Sequence, residues 1–399
     1  MKPPDAVEVG RRPMLRLKRG HDTPRSHPWI FKGDVAEVGD VEPGSEVTVV
    51  DSTGRFIGRG LYNPRPALCC RVLTRTDEPL DAAFFRRQLE RALALRSRGQ
   101  TQPPALCRLV WSEADGLPGL VVDRYGFVLV MQCLTLGMSR LRPTIVEALI
   151  GLLGDVQVYE MDEEASARLE GFSAARGWAR GSGPRSVRVN EGGVGFDVTI
   201  GVGHKTGLYL DQRENRARAG ALARDRDVLD AFSYTGGFAC HALHGGARRA
   251  VCIESSPEAI AGARQNLALN GFAARAEILT TNAFDELRRL ERTGARFGVI
   301  VLDPPPFARN RSAVDAAARG YKEINLRALR MLEPGGSLLT FSCSHHVSEA
   351  LFEEICREAA ADAGVRTRVA DRLSQAGDHP VLLNVPETRY LKGLLLEAF

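Results

Sequence analysis

Val228-Leu229-Asp230-Ala231-Phe232-Ser233-Tyr234-Thr235-Gly236-Gly237 carries a short apolar run into an acid and then into a glycine turn. Apolar runs of this length, bounded by turn residues, read as buried strands. The glycines behind one let the backbone come close to a ligand, because no Cβ intervenes. Outward from this stretch the pattern repeats, with strands predicted over 228–232, 250–254, 276–280, 299–302 and 337–341. Helices are predicted between them over 238–243, 257–270, 284–290, 322–332 and 349–363, and a last strand-like run covers 389–396. That rhythm predicts an α/β fold, a doubly wound and mainly parallel sheet of about seven strands.

The first 78 residues read differently. Short β-rich runs (Leu15-Arg16-Leu17, Val47-Thr48-Val49-Val50, Phe56-Ile57-Gly58 and 68–73) are separated by turn signals such as Glu42-Pro43-Gly44-Ser45 and Asn63-Pro64-Arg65-Pro66. Such spacing predicts a small β-barrel, with His27-Pro28-Trp29-Ile30-Phe31 as exposed aromatic and basic contacts. A helix over 82–98 capped by Asp81 follows, then strands 120–122 and 127–131 joined by Asp123-Arg124-Tyr125-Gly126, and a helix over 141–153. Arg180-Gly181-Ser182-Gly183-Pro184 reads as a linker. The expected domains are therefore 1–78, a central α+β module over 79–185, and the sheet domain over 186–399.

With 44% hydrophobic and 26% charged residues in 399, the chain has ample core for a globular protein. Its apolar runs are far shorter than a membrane span, and Met1-Lys2-Pro3-Pro4-Asp5 is not an apolar leader. The eight cysteines are scattered, with neither metal-type pairing nor a secreted framework. A reducing cytoplasm is expected, with no metal site and with Cys69-Cys70 as structural residues. Residues 1–76 hold 13 Lys/Arg against 9 Asp/Glu and so carry the whole formal charge of +4. A basic N-terminal module suits a polyanionic partner.

In open α/β sheets a ligand sits beyond the carboxyl ends of the strands. Asp230, Phe232, Ser233, Gly236 and Gly237 stand at the first such end, and Glu254 stands 24 residues after Asp230 at the second. An acid there suits ribose hydroxyls, and Ser255 and Ser256 are placed to cap the helix that starts at Pro257. A dinucleotide or S-adenosylmethionine satisfies such an acid; the absence of G-x-G-x-x-G argues against a pyrophosphate cradle. At the third tip, in Thr281-Asn282-Ala283-Phe284, Asn282 is either an adenine ligand or a helix cap, and Phe284 is placed to stack on the ring.

Two further tips carry reactive groups. Val299-Ile300-Val301-Leu302 ends in Asp303-Pro304-Pro305-Pro306-Phe307, an acid beside three residues that lack an N–H donor. Leu338-Leu339-Thr340-Phe341 ends in Ser342-Cys343-Ser344, with His345 and His346 next in sequence. Cytosine C5 becomes nucleophilic only after a thiolate adds to C6, and the adduct needs an acid at N3. Cys343 and Asp303 fit those roles, with a nearby positive charge favouring the thiolate. Acid-Pro-Pro-aromatic resembles enzymes that hold a flipped base. For the C5 proton the candidates are Asp378-His379-Pro380 and water assisted by Asp303.

The chain is similar over nearly its whole length to the bacterial 23S rRNA (cytosine-C5) methyltransferases of the RlmI type. The resemblance rests on Lys205-Thr206-Gly207-Leu208-Tyr209-Leu210-Asp211-Gln212-Arg213-Glu214-Asn215-Arg216, on 230–237, 303–307 and 341–344, and on Gly320-Tyr321-Lys322-Glu323-Ile324-Asn325 and Asp378-His379-Pro380. It implies an N-terminal PUA domain for RNA, a Rossmann-like class I methyltransferase domain and S-adenosyl-L-methionine as cofactor. It also implies Cys343 as nucleophile, Gln212 and Arg213 near the cofactor, a 23S rRNA partner and a homodimer. Pro304, Pro305, Phe307 and His379 become the expected substrate contacts. Pro306 stands where many RNA cytosine-C5 methyltransferases carry a second cysteine, so a one-cysteine mechanism is implied. Asn282 stands where aspartate is frequent.

Three other functions compete. A methyltransferase for guanine N7 or an exocyclic amine needs no thiol. A non-catalytic RNA-binding assembly factor needs no cofactor, though Asp230, Glu254, Asp303 and Cys343 argue against it. A dehydrogenase would need the missing phosphate fingerprint.

Overall fold

A computed structural model describes residues 13–20, 27–98, 100–202, 206–308 and 310–399. Met1-Lys2-Pro3-Pro4-Asp5 and Lys205, used in the sequence reading, lie outside them. The described residues form two compact units that part at Gly183 and Pro184, with Leu382–Val385 grouped with the first.

The first unit contains two sheets. Strands β1 (Met14–Leu17), β2 (Trp29–Phe31), β3 (Val35–Val38), β4 (Glu46–Val50), β5 (Phe56–Tyr62) and β6 (Leu68–Thr74) pair in the order β2-β6-β5-β4-β1-β3. Alternate side chains (Leu15, Leu17, Val47, Val49, Cys70 and Val72) close over a small core, as the period of two requires. The expectation for 27–31 is only partly met. Ile30 is buried in that core, Trp29 Nε1 donates to Glu113 at 2.8 Å, and Phe31 alone among the large apolar residues there is well exposed, at 45%.

Helix α1 (Ala82–Ser97) begins where the Asp81 carboxylate accepts from Phe84 N. The second sheet comprises β7 (Leu106–Trp111), β8 (Leu120–Tyr125), β9 (Val128–Cys133), β10 (Gln157–Met161) and β11 (Arg176–Trp178), in the order β11-β10-β9-β8-β7. Helices α2 (Leu136–Arg140), α3 (Arg142–Leu153) and α4 (Glu164–Glu170) complete the unit. The β8–β9 turn falls two residues later than the sequence reading places it. Asp123 belongs to the strand because it is buried in a two-point ion pair with Arg108.

The second unit opens with a hairpin, β12 (Ser186–Glu191) and β13 (Val194–Thr199), then α5 (Arg213–Leu222). The large sheet follows: β14 (Asp227–Ala231), β15 (Arg249–Glu254), β16 (Ala276–Thr280), β17 (Phe297–Leu302), β18 (Leu332–Ser342), β19 (Thr367–Ser374) and β20 (Lys392–Ala398). Its order is β16-β15-β14-β17-β18-β20-β19, the first five parallel and β20 antiparallel to both neighbours. Helices α6 (Gly237–His244), α7 (Pro257–Leu269), α8 (Ala283–Arg292), α9 (Val314–Met331) and α10 (Glu349–Ala363) alternate with these strands. Every residue of β17 is buried, as a central parallel strand requires. The expected α/β fold of about seven strands is the one observed.

Three elements depart from the sequence reading. The hairpin was not anticipated, although its alternating buried residues Val187, Val189, Phe196 and Val198 carry the signal. β19 has only Leu373 fully buried, so no apolar alternation announces it. α9 starts at Val314 rather than near 322, because an alanine-rich turn supports helix without large apolar residues.

The hairpin is tied to the helices by charge. Glu191 lies 2.7 Å from Arg216 Nε and 3.0 Å from His241 Nε2, all three side chains being buried. Burial opposes ionisation of Glu191, but the Arg216 charge and the hydrogen bonds from His241 and Arg216 win, bringing its carboxyl down to about 2. Replacing Glu191 by Gln should therefore cost about 3–5 kcal/mol, since it strands a buried arginine. Urea titration will measure this. The stability Glu191 supplies is fully present above its ordinary value of 4.5 and should be lost as pH falls towards about 2. A variant whose acid unfolding matches the parent's would contradict the assignment.

Candidate active site

The strand order reverses between β14 and β17, which makes the carboxyl ends of β14, β15 and β17 the expected ligand crevice. Asp230, Glu254 and Asp303 all reach that edge. Asp230 is fully buried; its Oδ2 accepts from Ala239 N at 3.0 Å in the first turn of α6, and its Oδ1 has no hydrogen-bond partner. Burial, together with the Asp303 and Glu254 charges, pushes its carboxyl up to about 8. Three carboxyl groups held this close favour a cationic ligand, whose charge would relieve their mutual repulsion.

Between Asp230 and Gly237 the backbone takes an unusual path. Phe232 and Tyr234 have φ of 63° and 48°, and Gly236 has φ of 75°. A Cβ on Gly236 would stand 3.3 Å from Ala263 Cβ, so α7 leaves the turn little room for a side chain. Ser233 is buried, and its hydroxyl donates to the Ile253 carbonyl at 3.4 Å. Gly237 starts α6 directly against Arg216. Glu254 Oε2 accepts from Tyr234 N, and Oε1 accepts from Ser255 N and Ser256 N. These bonds fix the carboxylate while Oε2 keeps acceptor capacity for a hydroxyl. Ser256, not Ser255, caps α7 through its hydroxyl, which accepts from Ala259 N.

At the third tip Asn282 Oδ1 accepts from Phe284 N, capping α8, and Ala283 is buried as the first residue of that helix. Phe284 belongs to an aromatic group with Phe232 and Phe307, at ring separations of 5.6 to 6.4 Å. Phe307 also lies 4.6 Å from Tyr321. The three phenylalanines follow the ends of β14, β16 and β17 and pack on the core, with Tyr321 fully buried beside them.

Cys343 follows β18 and is half-buried; the other seven cysteines are fully buried. Its Sγ lies 3.8 Å from the Pro304 carbonyl oxygen, so the thiol and the proline-flanked acid share one corner. Tyr321 fixes the segment around it. Its hydroxyl accepts from Ser342 Oγ at 3.0 Å and lies 3.0 Å from Ser344 Oγ, which in turn accepts from Ala308 N. Pro305 and Pro306 are exposed, whereas Pro304 is buried.

The 206–216 segment lies against the same corner. Gln212 is buried, with Oε1 accepting from Asn215 at 2.6 Å and Nε2 left without a partner. Arg213 pairs with Asp378 at 2.9 Å, and Asp378 lies 2.8 Å from His379 Nδ1, with the His379 ring buried. Tyr209 meets Tyr234 edge to face at 4.8 Å. Burial and the charges of Tyr234, Asp303, Asp211 and Cys343 hold the Tyr209 phenol well above its ordinary range. The sequence reading assigned no role to Tyr209, Tyr321 or Lys392. Only their proximity in the fold identifies them.

Comparison with known proteins agrees with this geometry. The S-adenosylmethionine-dependent methyltransferase family profile matches residues 167–395, and a PUA-like domain profile matches 15–75. Proteins named ribosomal RNA large subunit methyltransferase I are 42% identical in Alteromonas mediterranea, over 96% of this chain and 98% of that protein, and 41% identical in Klebsiella pneumoniae, over 96% and 97%. The one in Vibrio cholerae is 39% identical, over 96% and 98%. The crystal structure of SMU.776 complexed with SAH superposes with a TM-score of 0.82 at 19% identity. It covers 96% of this chain and 99% of that one.

The carboxyl raised at Asp230 gives a direct test. At pH 7 it is largely protonated, and a sulfonium or ammonium beside it should drive the proton off. Calorimetric titration with S-adenosylmethionine in two buffers of different ionisation heat should report net proton release. Heats that do not depend on the buffer would contradict a cationic ligand beside Asp230.

Proposed function

This chain belongs to the S-adenosylmethionine-dependent methyltransferase family, and we propose that it methylates carbon 5 of a cytosine in 23S ribosomal RNA through a transient bond from Cys343 to ring carbon 6. One observation carries the reading. Of eight cysteines, the one that is not buried stands at the carboxyl edge of the sheet, beside the proline-flanked acid. The names of the closely similar relatives supply the substrate class.

The cofactor, when bound, supplies an electrophilic methyl group. Glu254 would hold its ribose hydroxyls, with the backbone of the Phe232–Gly237 turn and residues Ser255, Asn282 and Ala283 around it. The Cys343 thiolate bonds to C6, and Asp303 holds a proton at N3, so the electron pair released from C6 makes C5 the nucleophilic carbon. Once C5 carries the methyl group, its hydrogen leaves as a proton, the C5–C6 double bond reforms, and the S–C6 bond breaks to return the thiolate. Because His379 is buried and its Nδ1 is held by Asp378, the proton route we favour is water beside the half-buried Asp303.

The exposed Pro305 and Pro306, Pro304 and the ring of Phe307 make a stiff side for the flipped base. The PUA-like residues 15–75 supply the RNA-binding module, consistent with the basic excess in 1–76.

Incubating ribosomal RNA with the protein and locating the product by mass spectrometry should give 5-methylcytosine. Cys343→Ala should abolish it while cofactor binding persists. Undiminished methylation by that variant, or product at N4 or on a purine, would refute the mechanism. Deleting residues 1–76 should weaken RNA binding and its salt dependence more than cofactor affinity; equal losses would overturn the division of labour.

A further inference from the structure

Lys392 is a buried cation that, among the described residues, no acid contacts. It is the first residue of β20, is 7% exposed, and lies opposite both Ser342 of β18 and Ser374 of β19 in register. Its Nζ donates to the Ser344 carbonyl at 2.8 Å. Among the described residues no carboxylate comes within ion-pair distance of that nitrogen. Burying an unpaired ammonium is costly, so its position in the sheet calls for an anion that forms in use.

The charged groups facing Lys392 are few. Burial lowers the ammonium, the Cys343 thiol and the Glu349 carboxylate oppose that shift, and Arg389 adds to it. Glu349 and Arg389 are paired with each other at 2.9 Å, which largely cancels their fields. Cys343 stands between the residue that pairs with Lys392 and the residue that accepts its hydrogen bond, and is the foremost of the groups whose charge would favour the ammonium. Cys343 also acts on the Tyr209 and Tyr321 phenols, both held above their ordinary range first by burial and so neutral at working pH. Asp303 also lies near Tyr209 and, as an anion, would oppose a thiolate. His345 does not supply the needed charge. Crowding around its ring and the Lys392 charge itself push its imidazole below the ordinary value.

We propose that Lys392 is the counter-ion of the Cys343 thiolate, a positioning residue that keeps the sulfur anionic before the base arrives and receives it again when the S–C6 bond breaks. The proposal rests on the reading of Cys343 as nucleophile, and its test does not use methyl transfer as the sole readout. The rate at which iodoacetamide alkylates Cys343, followed on its own peptide by mass spectrometry, reports the thiolate fraction against pH. An opposite charge a few ångströms away lowers an acid's midpoint by about one to three units. The Lys392→Met protein should therefore alkylate with its midpoint raised by at least about one unit, roughly a tenfold loss of rate near pH 7. Lys392→Arg should keep the parental midpoint, and the methylation activity of Lys392→Met should recover as the pH is raised.

A second variant guards against misfolding. Lys392→Gln keeps a donor for the Ser344 carbonyl without the charge and should raise the Cys343 midpoint as Lys392→Met does. Unshifted midpoints in both variants would overturn the proposal. So would an unshifted Lys392→Gln if Lys392→Met does not fold. Neither result touches the nucleophile reading, which fails separately if Cys343→Ala still methylates.

Discussion

The register of three adjacent parallel strands governs this molecule. Ala231, Leu302 and Thr340 lie level across β14, β17 and β18, so whatever follows each strand emerges at one edge. The glycine turn, the proline-flanked acid and the thiol are far apart in sequence and meet because the strands end together. Since side chains alternate faces, slipping one strand by a residue would turn its side chains to the opposite face and break the corner. The central strand β17 is apolar and buried throughout, and burial of both its faces fixes that register against slippage.

Around this edge the chain spends much of its polar capacity on holding positions. Glu254 is clamped by three backbone donors, Asp230 caps α6, and Tyr321 bridges the serines on either side of Cys343. Arg213 and Arg216 anchor the 206–216 segment to Asp378 and Glu191. These are second contacts behind the groups expected to touch ligands, and they restrict the freedom of those groups before anything binds.

Much of this architecture was legible in the sequence, because parallel strands announce themselves as apolar runs and their tips as the polar residues that end them. Asp230, Glu254, Asp303 and Cys343 are placed at the sheet edge by that signal. Lys392 is not, since a lysine at the start of a strand reads as solvated until β20 is seen to lie antiparallel to β18. Tyr321 was hidden for a similar reason: its hydroxyl serves two serines some twenty residues away. Thr367–Ser374 escaped notice because an edge strand that buries so little leaves no apolar period. Asn282 shows the converse, a local signal met locally: its oxygen caps a helix, as its place before Ala283 allows.

Under the cytosine reading proposed above, the run Pro304-Pro305-Pro306 also bears on the choice of base. Three imino residues in succession offer carbonyl oxygens and no amide hydrogen, so the main chain of this run can accept but cannot donate. The exocyclic amine of cytosine would find partners along it, whereas the O4 of uracil would turn lone pairs towards lone pairs. Discrimination between the two bases would then arise from what the main chain lacks, without a dedicated side chain to read the ring.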